Sequence, residues 1–230
     1  PKYQILKAID FFIQGKLSLS KTYLSNYELL KKQKKIGILG RKDQKFCKNY
    51  SSFIKRLINQ IEINPSASIN NIYHIGESHC LSYAHSSLRV AKDQFVVRPL
   101  ITLGAKAFHF AKEEPNQYKS ITKTNLEMLP NKSLVLISFG EIDCRIDEGL
   151  ISAARKNKNN LIKLVEKTVK DFLLWFVKQN MQWRHALYFL NVPAPIYQDE
   201  LTYESNQQVA KVIQLFNDAL KQYLCKHPAN

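Results

Sequence analysis

The chain has 230 residues, 45% of them hydrophobic and 23% charged, with a formal net charge of +15. That is enough chain for one large domain, or for a domain behind a small helical module, with a sizeable buried core. It excludes a membrane-spanning helix, because no apolar run approaches the ~20 residues such a span needs, and no charged, apolar, small-residue signal sequence opens the chain.

Cys47, Cys80, Cys144 and Cys225 are scattered, with no C-x-x-C and no histidine pair at zinc-finger spacing. Neither a disulfide framework nor a structural metal is expected, and a reducing, cytoplasmic compartment is favoured. The start at Pro1 rather than Met leaves room for residues upstream, so localisation is only weakly bounded. The charge is uneven: residues 1–70 carry 14 Lys+Arg against 4 Asp+Glu, a net of +10, and residues 71–230 carry 20 against 15, a net of +5. A basic patch of this kind meets an anionic partner. KKQKK lacks interleaved aromatics or glycine, so a solvated lysine-rich helix surface is the plainer reading and nucleic acid the weakest.

In chain order, residues 3–34 read as two helices. YQILKAIDFFIQ places apolar residues at 5, 6, 9, 12 and 13, Gly15 punctuates, and the next segment repeats a stripe through Leu19, Tyr23, Tyr27 and Leu30. A third helix, FCKNYSSFIKRLINQIEI, carries Phe46, Tyr50, Phe53, Ile54 and Leu57 on one face. This order of helix, Gly-Lys-Leu turn and aromatic-bearing helix resembles, loosely, one tetratricopeptide-type repeat, which would pack on the next domain or cap an array. Asn64-Pro65-Ser66-Ala67-Ser68 reads as a linker, which puts a boundary near residue 68 between a helical segment, 1–68, and a second domain, 69–230.

From residue 69 strands and helices alternate. NIYHIG, QFVVRPL, SLVLISFG and ALYFLNVP are the expected strands; one helix opens at Ser78, one lies near 116–128, a long one at 158–180 and a last at 203–224. Continuous apolar strands such as LVLISF suit a sheet covered on both faces, hence an α/β fold: a three-layer α/β/α sandwich with a mostly parallel sheet, active residues collecting past the carboxyl ends of the strands. Three motifs stand at such ends: Gly76-Glu77-Ser78, FGEIDCR at 139–145 and NVPAP at 191–195.

Gly-Glu-Ser before a helix, Gly104 in TLGAKA and a strand ending in GEID together resemble the SGNH (GDSL-like) hydrolases over about residues 69–230. The resemblance implies a flavodoxin-like sheet and esterase, deacylase or O-acyltransferase chemistry on a small acyl ester, with an ester carried on a carbohydrate as one candidate. It places Ser78 as nucleophile and its N–H as one oxyanion donor, Gly104 as a second donor, and Glu77, Asp143 and Arg145 as supporting residues. A tie of the loop through backbone hydrogen bonds is an equally good reading of Asp143.

Two departures stand out. Ile142 occupies the place of the family's asparagine, so one side-chain oxyanion donor is lost, with Arg145 or His109 as candidate substitutes. No Asp-x-x-His follows residue 200; His227 is preceded three residues earlier by Leu224, and a chain cut before its base is the favoured explanation. His109 is the spare candidate base. His74 reads as a core residue, His85 as lying on the same helical face as Ser78, and His79 as pointing away from the adjacent Ser78. The acidic cluster Glu141, Asp143, Asp147 and Glu148 reads as loop hydrogen bonding plus an ion pair from Arg145 to Asp143 or Asp147, rather than a metal site. No phosphate loop appears, and no cofactor or metal is expected. The competing expectation is a catalytically silent module of the same fold whose basic helices recruit a protein or other anionic partner.

Overall fold

A computed structural model describes residues 1–33, 37, 39–61, 70–90, 92–158 and 160–226. The linker at 64–68, the boundary near 68, His227 and part of KKQKK lie outside the described residues. The fold is α/β: helices α1 (Lys2–Ile13), α2 (Leu17–Lys32) and α3 (Arg41–Gln60) precede strand β1 (Asn70–Gly76) and a 3-10 turn (Ser78–Tyr83). Strands β2 (Ser87–Val90) and β3 (Asp93–Ile101) lead to α4 (Ala107–Ala111) and α5 (Gln117–Glu127). Then come β4 (Leu134–Ser138), a second 3-10 turn (Ile142–Cys144), α6 (Leu150–Asn157), α7 (Leu161–Asn180), β5 (Ala186–Phe189) and α8 (Tyr203–Lys226). The five strands form one sheet in the order β2-β3-β1-β4-β5, with β1, β4 and β5 parallel and β2–β3 an antiparallel hairpin. No helix among the described residues is long and apolar enough to cross a membrane.

The chain divides into two compact units, one of residues 1–70 and 81–99, the other of 71–80 and 100–230. In the first, α1 buries Ile5, Ala8, Ile9 and Phe12. Its neighbour α2 buries one residue of the expected stripe, Tyr27, together with Ser20 and Leu24, while Tyr23 and Leu30 are half-buried and Leu19 is exposed. The small Ser20 lets the two helices approach, and its hydroxyl donates to the Ala8 carbonyl at 2.7 Å, which satisfies it in a buried place. The third helix keeps part of the expected face inward, Ile54 and Leu57. Cys47, Ser51, Ile54, Leu57 and Ile58 are buried, and the expected aromatics form a half-buried ladder beside them, with Phe46 and Tyr50 centroids 4.6 Å apart. His85 belongs to this unit and not to a helical face shared with Ser78. The 3-10 turn ends at Tyr83, His85 adopts a left-handed φ of 62°, and its Nε2 pairs with the Phe12 carbonyl at 2.6 Å.

The second unit is organised around an aromatic cluster. Phe110, Phe139, Phe172 and Phe176 are buried together, with Phe110 and Phe139 centroids 4.7 Å apart and Phe172 and Phe176 5.3 Å apart. α8 closes the cluster with Val212, Ile213, Phe216 and Leu220. The long helix expected at 158–180 starts at 161, because Lys158 takes a left-handed φ of 51° that ends α6 and the Asn160 side chain caps the new helix by accepting Lys163 N–H. β1 and β4 run side by side in parallel with Gly76 opposite Ser138. A Cβ on Gly76 would lie 2.3 Å from Ser138 Oγ and 2.7 Å from its carbonyl oxygen, so the strands reach this spacing only through a glycine. That close pairing fixes where β1 ends and where the next three residues go.

Candidate active site at the end of β1

The chain leaves the sheet at Gly76 and turns at once into the 3-10 helix, so Glu77, Ser78 and His79 fan out over the end of β1. Glu77 supplies the cap. It is 2% exposed, and its Oε2 accepts the His79 backbone N–H at 3.3 Å while its main-chain carbonyl accepts Cys80 N–H at 3.0 Å. The same carboxylate takes two side chains: Ser78 Oγ donates to Oε2 at 2.8 Å and His79 Nδ1 pairs with Oε1 at 2.5 Å. Ser78 is therefore not the capping residue. Both it and His79 are half-buried and held by one buried acid.

The electrostatics follow from that arrangement. Burial alone would raise the Glu77 carboxyl, but hydrogen bonds from His79 and Ser78 and the His79 charge outweigh it, and the group is held below the usual glutamate value. His79 is raised, chiefly by its bond to Glu77 and further by the nearby Glu141, against burial and the Arg145 guanidinium. A raised histidine stabilises the fold below its ordinary value of 6.5 and loses that contribution as pH rises through its folded value. A lowered glutamate contributes above 4.5 and loses it as pH falls through its folded value. The destabilisation caused by Glu77→Gln, measured as a urea midpoint, is thus expected to peak between those two ordinary values and shrink on either side.

The loop after β3 is tied to the same end of the sheet. Thr102 N–H donates to the Gly76 carbonyl at 2.8 Å, and Asp143, fully buried, accepts Ala107 N–H at 2.7 Å and Phe108 N–H at 3.0 Å. Burial pushes the Asp143 carboxyl up to about 6, with the two N–H groups and Lys106 opposing it. Gly104 sits in this loop with φ +72°, open space where a side chain would stand and an exposed position, a backbone a substituted residue rarely adopts.

The other residues singled out in the sequence are committed elsewhere. Arg145 forks onto Glu141 at 2.8 and 3.1 Å and reaches Glu148 at 3.3 Å, rather than pairing with Asp143 or Asp147. His109 accepts Lys106 N–H on Nδ1 at 3.0 Å and stacks on Tyr118 at 4.1 Å, which leaves the neutral ring protonated at Nε2. His74 is buried, with Nε2 2.8 Å from Ser138 Oγ, and Ile142 is buried. Donor atoms of Glu77, His79 and Glu141 lie within 4.8 Å of one another. Each of these residues already holds a partner: Glu77 and His79 each other, Glu141 the Arg145 fork.

His79 is the residue that sequence reasoning set aside. Adjacent side chains on a regular helix do diverge, but Glu77 reaches over the first turn and takes both neighbours. Glu immediately before Ser-His at a strand end was the signal available. In comparisons with known proteins, no family model, no curated protein and no solved structure matches this chain.

Proposed function

We propose that the second unit is a serine-dependent SGNH-like esterase, deacylase or O-acyltransferase acting on a small acyl ester, with an ester carried on a carbohydrate among the candidate substrates. The observation that carries this reading is the single buried carboxylate holding Ser78 and His79. Within that unit β1, β4 and β5 run side by side in parallel, which supports the three-layer reading.

In this mechanism Ser78 Oγ bonds to the carbonyl carbon and the carbonyl π pair moves to oxygen. The N–H groups of Ser78 and Gly104 receive that oxyanion. In the resting structure Ser78 Oγ donates to Glu77 Oε2 at 2.8 Å; the serine proton passes to His79, the member of the pair whose charged form is stabilised, when its ring turns to Ser78 Oγ. Collapse breaks the bond to the leaving oxygen, which takes a proton from the imidazolium, and water or an acceptor hydroxyl then releases the acyl group. The full chain is expected to hydrolyse a short-chain aryl ester and to be labelled at Ser78 by a fluorophosphonate probe, both lost in Ser78→Ala. Equal turnover and labelling in the variant would favour the second reading, a silent binding module, which the buried apolar Ile142 at the family's donor position supports.

A further inference from the structure

The helical unit carries a groove unrelated to the serine site. It lies between α2 and α3, has a volume of about 570 Å³ and is floored by Leu24 and Ile58, with Leu29 along its wall. Lys21, Lys32 and Lys55 stand around it, all exposed. Among the described residues none of these three lysines pairs with a carboxylate, while the one acidic residue of the lining, Glu28, lies 3.9 Å from Lys31. The unit therefore presents an aliphatic trough under uncompensated positive charge, in the part of the chain where residues 1–70 carry 14 basic against 4 acidic groups.

We infer that this groove docks an acidic amphipathic helix of a partner protein. Both halves of the surface enter the argument. Leu29 is 55% exposed, and burying it with the trough gives the apolar contribution that an aliphatic stripe at i, i+3, i+4 and i+7 supplies. The lysine rim complements Asp and Glu beside such a stripe and speeds encounter. A nucleic-acid backbone satisfies the lysines but has no use for a leucine–isoleucine floor, and the rim offers no aromatic for base stacking. A bilayer needs a flat or convex apolar face, and here Leu24 and Ile58 are buried at the floor of a depression.

The test uses the whole chain and a short fluorescein-labelled helical peptide with leucines on one face and glutamates on the others, read by fluorescence anisotropy. Binding is expected, weakening as salt rises. Lys21→Glu combined with Lys55→Glu should reduce affinity by about tenfold or more, and Leu29→Ser should weaken binding while leaving the salt dependence in place. Both variants change exposed side chains, and circular dichroism checks that the helices persist. A peptide of the same composition with its leucines scattered over all faces should bind clearly less well. Equal binding of the scattered peptide would overturn the proposal in favour of unspecific charge attraction. Failure of the peptide to bind would also overturn it, as would tighter, variant-sensitive binding of anionic vesicles or single-stranded RNA.

Discussion

Gly76→Val is expected to destabilise the protein by about 3 kcal/mol or more, the upper part of the range for overpacking a filled interior. A first side-chain carbon at this position lies 2.3 Å from Ser138 Oγ, 2.7 Å from the Ser138 carbonyl and 3.0 Å from Cys80 Cβ. The hydroxyl can be removed, but the carbonyl cannot, because it belongs to β4 and the two strands are in register from Ile72↔Leu134 to Gly76↔Ser138. Relief requires β1 to separate from β4 at its end, which displaces Glu77 and with it both partners of its carboxylate. Urea denaturation should therefore show the loss, and Ser138→Ala in the same chain should recover only part of it. Full recovery would mean that the hydroxyl alone sets the spacing; no loss at all would mean that the strand end is not fixed as described.

The same residues show how far the sequence could be read. The α/β class was legible because LVLIS and NIYHIG are continuous apolar or β-branched runs bounded by glycine, and they become β4 and β1. The turn after β1 was legible because Gly76 ends the β-branched run and polar Glu77 and Ser78 follow it at once. Burial registers in the helical unit were legible in part: Ile5, Ile9, Phe12, Tyr27, Ile54 and Leu57 are buried as the apolar spacing expects, but Ser20 did not stand out. Ser20 is polar, yet it faces inward because a small residue allows close packing and a carbonyl of α1 stands within reach of its hydroxyl. The short hairpin strand β2, Ser87–Val90, has too few apolar residues to stand out, and α4 is a single turn and a half held by Asp143 rather than by its own propensity. The pairing of His79 with Glu77 escaped for another reason. Helical periodicity describes where side chains start, and a glutamate is long enough to fold back over the first turn and gather groups that periodicity separates.

If the second unit runs the proposed ester chemistry, Glu77→Gln should lower turnover of the aryl ester by a factor on the order of 10⁴, the scale seen when a catalytic histidine is left in the wrong tautomer. The carboxylate presents acceptors only, and it needs them all: Oε2 receives Ser78 Oγ–H and His79 N–H, Oε1 receives His79 Nδ1–H. An amide offers one oxygen and one NH₂. With the oxygen toward Ser78 and the His79 main chain, the NH₂ faces His79 Nδ1, and the ring answers by accepting there and carrying its proton on Nε2, which removes the lone pair a base requires. With the amide turned over, two donors meet at the position of Oε2 and the turn loses its cap. Either arrangement also removes the anion that holds the His79 imidazolium, so its titration, followed by NMR, should shift downward from a wild-type position above 6.5. The two readouts separate the claims. A downward shift with unchanged turnover would leave the Glu77–His79 pair in place and remove His79 from the chemistry. An unchanged titration would mean that Glu77 does not set the charge of His79 at all.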